Sequence, residues 1–216
     1  LSVAYTRGDR MSEAEKQSLL DKYSRLTGLS KNFILNNDFR VELGRFNKEL
    51  LRDQQRTTGR LDSRFTGIDR DAGASTNEFD PSMTAIRPPY TATFNDYVRR
   101  ELGFKSDTEY FILGGGITSP WNWGQTNGYA NTAPTLQTAM QKNPFMKIMV
   151  ASGYYDMATP YYAADYTFAN MNLDPTLRKN ISTYYYESGH MMYIEKNSLI
   201  KLKNDFAKFM RESLAN

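Results

Sequence analysis

The chain has 216 residues, of which 40% are hydrophobic and 13% aromatic, and its formal net charge is +3 at pH 7. This composition is enough for a folded core, and the length fits one large domain or one domain with a small companion. The 27 basic residues are scattered among 24 acidic ones, with no cysteine and one histidine. These counts argue against a nucleic-acid-binding stripe and exclude disulfides, thiol nucleophiles and a zinc site rich in Cys or His.

The first 58 residues predict amphipathic helices. Ser12, with Glu15 three residues later, forms a capping-box pattern that opens a helix, and Gly28 ends it. A second start follows at Ser30. Apolar residues then recur at helical spacing, which predicts a helix to about Arg52.

The pattern changes after residue 58. Residues 59–65 alternate and predict a short strand, and the Gly/Asp/Ser/Asn-rich residues 66–80 predict a loop. After a Pro-Pro pair, residues 91–102 predict a helix. A further short helix is predicted over residues 135–141.

The last 70 residues predict two strand–loop–helix units. The short apolar run at 147–151 is typical of a buried parallel strand, and Thr159 and Pro160 suit the cap and the first position of the next helix. Residues 181–186, a tyrosine-rich run, predict the second strand. Asn197 or Ser198 opens the final amphipathic helix. The predicted fold class is therefore α/β.

Asp156 and His190 each follow one of these strands, at the edge of the sheet where sites form in open α/β folds. A carboxylate bonded to one ring nitrogen of an imidazole holds its tautomer, so that the other nitrogen can deprotonate a serine. In α/β-hydrolases the chain order is Ser, then Asp or Glu, then His. Asp156 and His190 fit the end of that order. The alternative is an unrelated surface aspartate and solvated histidine.

The flanking residues carry a family resemblance. The pattern Ser-Gly-x-x-Asp at 152–156, with a proline four residues after the aspartate, and the Gly-His-Met at 189–191 resemble the bacterial branch of the serine carboxypeptidase family, which are α/β-hydrolases. Segments over most of the chain share this resemblance: residues 60–67, 80–82, 89–97, 121–124 and 189–193.

The resemblance implies that Asp156 is the acid and His190 the base of a Ser–Asp–His triad. It also implies that residues 1–104 are a largely helical cap and that residues 105–216 are the C-terminal part of an α/β-hydrolase core. Tyr154 stands where many eukaryotic members carry an acidic residue. In the family, the nucleophile elbow, the oxyanion loop and the residues that bind the substrate's carboxylate precede the portion seen here.

Ser152 and Ser188 are the alternative nucleophiles within the chain. Neither has the strand–turn–helix context of a nucleophile elbow, and residues this close in sequence to Asp156 or His190 seldom point at them. The glycine run at 114–116 is interpreted as a turn rather than an oxyanion loop. Trp121 and Trp123 are interpreted as pocket-lining or packing residues.

The expected activity is hydrolysis of C-terminal peptide bonds without a cofactor or metal. The nucleophilic serine would lie on a segment absent from this chain. The 216-residue chain alone would therefore be inactive. One alternative is a carboxypeptidase-like esterase or acyltransferase. Another is a non-catalytic fragment or interaction subunit, because an incomplete sheet leaves an open strand edge. The expected partners are a peptide substrate, the missing N-terminal part or a companion chain, and a second copy in a homo-oligomer.

No run of about 18 apolar residues occurs, so no membrane span is predicted. The first residues lack the basic and apolar regions of a signal peptide. A secreted or periplasmic location is implied by the family resemblance alone.

Overall fold

The computed structural model describes residues 2–112 and 130–215. The chain divides into two compact units, Leu1–Ser82 and Met83–Asn216, each with helices and strands, so the fold is mixed α/β. The assignment of residues 1–104 to a cap and 105–216 to a hydrolase core stays a prediction. The glycine run at 114–116 and both tryptophans lie outside the described residues.

Short helices and one β-hairpin make up the first unit. Its elements are α1 (Ser2–Arg7), α2 (Glu13–Thr27), α3 (Lys31–Asn36), α4 (Leu43–Glu49), β1 (Arg56–Thr58) and β2 (Thr66–Ile68), with 3-10 turns at Gly8–Arg10 and Arg52–Gln54. The predicted capping box is confirmed, because the Ser12 and Glu15 side chains each bond to the other residue's backbone N–H. Gly28 ends α2 with a left-handed φ of 79°, and Ser30 caps α3.

The long helix predicted from Ser30 to about Arg52 is wrong, because the chain reverses between α3 and α4. Asp38 and Phe39 take positive φ values of 48° and 59°, which few side chains adopt. The Phe39 N–H donates to the Ile34 carbonyl at 3.0 Å. The turn places Phe39 in the core of the unit with Leu20 and Ile34. Burial of this ring offsets the backbone strain.

The strand predicted over residues 59–65 is also wrong. Strands β1 and β2 pair antiparallel on either side of this segment, which forms the connecting turn. Buried Asp62 organises the turn by accepting two hydrogen bonds from the Arg64 guanidinium, at 3.0 and 2.8 Å. Nearby, Lys48 and Asp69 form a buried ion pair with N–O distances of 2.5 and 2.6 Å.

The next helix starts earlier than predicted. Helix α5 (Pro81–Asp96) contains the Pro-Pro pair and continues into a π-helical turn at Tyr97–Glu101. The Asp80 carboxylate accepts from the Ser82 N–H at 2.9 Å, and Pro81 occupies the first position, where it lacks only an N–H that would be unpaired anyway. These interactions start the helix at Pro81, and the Pro88-Pro89 pair does not prevent the helix from continuing through it.

Two parallel strands form the centre of the second unit. Its remaining elements are α6 (Ala133–Lys142), β3 (Ile148–Gly153), α7 (Tyr161–Ala169), α8 (Pro175–Arg178), β4 (Ile181–Tyr186) and α9 (Lys196–Leu214), with a 3-10 turn at Met192–Ile194. Both strands and the final helix are confirmed, with boundaries within two residues of those predicted. Among the described residues β3 and β4 pair only with each other. None of the helices in the described part of the chain could cross a membrane.

Consecutive tyrosines of β4 reach different helices. Tyr185 donates to Asp165 of α7 at 2.8 Å, and Tyr186 donates to Asp205 of α9 at 3.1 Å. The hydrogen bond to Asp165, with some burial, raises the pKa of Tyr185 to about 12. Burial and the hydrogen bond to Asp205 raise the pKa of Tyr186. Both phenols are therefore neutral donors that tie the strand to its flanking helices.

The ends of the two strands approach each other unusually closely at Gly153. A Cβ atom built there would lie 2.4 Å from the Ser188 carbonyl oxygen and 2.2 Å from that of Gly189. The backbone N–H of Tyr155 also donates to the Ser188 carbonyl at 3.1 Å. This position therefore requires glycine because two strand-end loops meet there, and not because of a positive φ.

We predict that Gly153→Ala lowers the free energy of unfolding by about 1–3 kcal/mol or more, because the added methyl group meets backbone atoms that cannot rotate away. Urea unfolding followed by circular dichroism measures the change. Gly44→Ala in α4 is the matched control, since a Cβ there meets nothing within 4 Å; this variant should be neutral or more stable. Equal stability of Gly153→Ala and the wild type would contradict the close approach.

Candidate active site

The parallel register of β3 and β4 brings the two predicted site residues to the same end of the sheet. Gly153 lies opposite Tyr186 at the last pair of the ladder. One further backbone hydrogen bond, from the Tyr154 N–H to the Tyr186 carbonyl at 3.0 Å, continues the pairing. Asp156 follows β3 by three residues and His190 follows β4 by four. Both side chains thus start from adjacent carboxyl ends of parallel strands.

Asp156 and His190 are in direct contact. His190 Nδ1 lies 2.9 Å from Asp156 Oδ2. The aspartate is 5% exposed, whereas the histidine side chain is 43% exposed. Among the described residues, the hydrogen bonds of the imidazole all involve Nδ1. The pair therefore combines a buried carboxylate with an accessible ring.

Four hydrogen-bond donors surround the Asp156 carboxylate. Oδ1 accepts from the backbone N–H groups of Ala158 and Thr159 at 2.8 and 2.9 Å. Oδ2 accepts from the Thr159 hydroxyl at 2.6 Å and faces His190 Nδ1. Three of these donors come from within three residues along the chain, so a short local loop sets the plane of the carboxylate.

These donors outweigh the effect of burial on Asp156. Burial alone would raise the pKa of the carboxyl group, but the hydrogen bonds from Thr159, His190 and Ala158 favour the charged form and together lower the pKa below its usual value. Asp156 is therefore a carboxylate at neutral pH and accepts hydrogen bonds only.

Thr159 does not cap α7 as the sequence predicts. The sequence suggested that it caps α7, but the cap position is Pro160, and Thr159 makes no capping hydrogen bond. Its hydroxyl lies instead between the two site residues, 2.6 Å from Asp156 Oδ2 and 3.1 Å from His190 Nδ1. The signal in the sequence was a hydroxyl residue three positions after an aspartate, a spacing that also suits hydrogen bonding back to that aspartate.

Neither of the two alternative nucleophiles, Ser152 and Ser188, is hydrogen-bonded to the imidazole among the described residues. Ser152 is buried in β3 opposite Tyr185, and Ser188 is fully buried directly beyond β4. The Ser188 hydroxyl has no hydrogen-bond partner among the described residues. Ser152 lies within β3, and the hydroxyl of Ser188 is fully buried in the segment that follows β4. A nucleophile for His190 is thus not provided by either of them.

Tyrosines pack beside the site. Tyr154 stacks on Tyr185 with ring centroids 5.7 Å apart, and Tyr161 contacts both rings edge-on. Tyr154 is therefore a packing residue that remains partly exposed. In the described ranges, no cluster of three His, Asp or Glu side chains could hold a metal ion.

Comparison of the chain with protein-family models, with curated proteins and with solved structures finds no match.

The lowered pKa of Asp156 predicts how the stability of the chain responds to acid. A carboxyl group with a depressed pKa in the folded state stabilises that state above its unfolded pKa, which is about 3.9 for aspartate. This contribution is lost as the pH falls from there through the folded pKa. We therefore expect the difference in unfolding free energy between the wild type and Asp156→Asn to be constant near pH 5 and to shrink below about pH 4.

Urea unfolding of both proteins between pH 5 and pH 2.5 measures this difference. A difference that stays constant over the whole range would contradict a lowered pKa for Asp156.

Proposed function

We propose that this chain is the C-terminal portion of a serine carboxypeptidase-like α/β-hydrolase, in which Asp156 is the acid and His190 the base of a Ser–Asp–His triad. One observation carries the proposal. Nδ1 of the single histidine lies 2.9 Å from a buried carboxylate at the carboxyl ends of two adjacent parallel strands. The flanking motifs resemble those of the bacterial carboxypeptidase branch, and this resemblance supports the choice of family.

The electrostatics of the pair support the role of a base. Because the carboxylate is charged and accepts hydrogen bonds only, the proton of a neutral imidazole is favoured on Nδ1, where it points at Asp156. The lone pair then lies on Nε2, on a side chain that is partly exposed. When Nε2 takes a proton, the adjacent carboxylate stabilises the imidazolium.

In the proposed reaction, Nε2 of His190 removes the proton of a serine hydroxyl on a segment outside this chain, and the serine oxygen attacks the carbonyl of the last peptide bond. His190 then gives that proton to the departing amine, and an acyl-enzyme remains. Water, deprotonated by the same nitrogen, hydrolyses the acyl-enzyme. Asp156 orients His190 throughout, and no cofactor is involved. Residues 1–104 would form the cap, and the enzyme would be secreted or periplasmic.

The same triad would support a carboxypeptidase-like esterase or acyltransferase. The rates with an N-blocked dipeptide, with a simple ester of the same acyl group, and with an added acyl acceptor separate these activities. Preference for the dipeptide over the ester supports the peptidase, because binding of the free terminal carboxylate then contributes to transition-state stabilisation.

We predict that His190→Ala lowers kcat/KM for an N-blocked dipeptide by about 10³-fold or more in the protein that includes the nucleophile segment, because the serine loses its base. Steady-state hydrolysis measures the loss. The control is Lys208→Ala, which removes an exposed side chain on α9 that pairs only loosely with Glu212 at 3.8 Å; it should leave the rate unchanged. A His190→Ala enzyme with near-normal activity would contradict the assignment.

A second candidate, a non-catalytic interaction subunit, is favoured by the incomplete sheet. Among the described residues each strand of the β3–β4 pair has one unpaired edge. Helix α9 also exposes large apolar side chains, Leu199, Phe206 and Leu214 among them. Such surfaces pair readily with another chain. If the chain is an interaction subunit, multi-angle light scattering should show oligomers or a complex, and a monodisperse monomer would count against this candidate.

A further inference from the structure

The Thr159 hydroxyl contacts both members of the Asp156–His190 pair. The three atoms involved form a closed triangle: Thr159 Oγ1 to Asp156 Oδ2 is 2.6 Å, Asp156 Oδ2 to His190 Nδ1 is 2.9 Å, and His190 Nδ1 to Thr159 Oγ1 is 3.1 Å. A hydroxyl group between an acid and a base is not needed for the acid to hold the base. We propose that Thr159 is a positioning residue that fixes the imidazole of His190 with its proton on Nδ1.

The directions of the hydrogen bonds follow from the chemistry of the three groups. A threonine hydroxyl has one proton to donate and two lone pairs that accept. The carboxylate accepts only, and the short 2.6 Å contact assigns the hydroxyl proton to Asp156 Oδ2. A lone pair of Oγ1 therefore faces Nδ1, and so does a lone pair of Oδ2. A proton on Nδ1 satisfies both acceptors, whereas a bare Nδ1 would face two sources of negative charge.

Thr159 is itself rigidly held. Its backbone N–H donates to Asp156 Oδ1 at 2.9 Å and its hydroxyl donates to Oδ2. Thr159 is therefore hydrogen-bonded to both oxygens of the carboxylate. Its β-branched side chain has few accessible rotamers. Pro160 follows directly and restricts the backbone of the residue before it. The acceptor that faces Nδ1 therefore has little freedom to move away.

The consequence for catalysis rests on the proposed function, since only a triad base needs Nε2 kept as the acceptor. The effect on the imidazole does not rest on it and can be measured in this chain. Because His190 is the only histidine, ¹H–¹⁵N spectra of the labelled chain contain the signals of one imidazole.

The test compares Thr159→Val, which keeps the shape and removes the hydroxyl, with Thr159→Ser, which keeps the hydroxyl. We expect the Nδ1 proton of Thr159→Val to exchange with solvent about fivefold faster than in the wild type, the ratio that corresponds to one hydrogen bond of about 1 kcal/mol. The population with the proton on Nε2 should rise as well. Thr159→Ser should return both values to those of the wild type.

Thr167→Val in α7 is the matched control, because it also removes a threonine hydroxyl that donates a hydrogen bond, here to the Ala163 carbonyl at 2.8 Å. It should leave the imidazole signals unchanged. If Thr159→Val does not fold, as judged by circular dichroism, Thr159→Ala tests the same loss without the extra methyl group. Wild-type exchange and tautomer populations in a folded variant without the hydroxyl would overturn the proposal. So would a Thr159→Ser protein that behaves like Thr159→Val.

Activity assays separate this inference from the proposed function. In the protein that includes the nucleophile segment, Thr159→Val should lower kcat with little change in KM, and Thr159→Ser should restore it. If His190→Ala does not affect hydrolysis but the imidazole spectra change as expected, the proposed function fails and the positioning role of Thr159 stands.

Discussion

The close approach of two backbone loops at Gly153 is the constraint on which the candidate site depends. The carbonyl oxygens of Ser188 and Gly189 occupy space that any side chain at position 153 would need. Because the loops meet there, the residues that follow each strand emerge side by side. The hydrogen bond between Asp156 and His190 is therefore a consequence of backbone packing in the sheet. The backbone already places the two side chains next to each other.

The chain itself orients the carboxylate at the centre of the candidate site. Its two oxygens accept hydrogen bonds from four donors, three of which belong to the loop that ends at Thr159. Hydrogen bonds to both oxygens keep a buried carboxylate charged despite the free-energy cost of burying it. Charged groups that are already oriented need little reorganisation when charge develops during a reaction. The geometry of the pair thus suits proton transfer, and the exposed ring leaves room for a reacting group.

Local signals in the sequence predicted the elements that local interactions determine. The sequence alone predicted the capping box at Ser12 and Glu15 because neighbouring residues specify it. The two strands of the second unit were predicted for the same reason. The predicted helix across Asp38 and Phe39 failed because burial of the Phe39 ring against Leu20, a residue distant in sequence, decided the backbone there. The predicted cap at Thr159 failed because its hydroxyl bonds to Asp156 and faces His190, which is 31 residues away in the chain. The contact between Asp156 and His190 followed from strand order and family resemblance, but the third member of the triangle required the structure.

In the proposed mechanism, His190, held by Asp156, activates a serine on a segment outside residues 1–216. The most direct measurement is the intact mass, with peptide mapping, of the protein that carries this chain, before and after reaction with a fluorophosphonate. We predict one adduct, on a serine of a segment other than residues 1–216, and no adduct in the His190→Ala variant. An adduct on Ser152 or Ser188, or one that persists without the histidine, would contradict this mechanism.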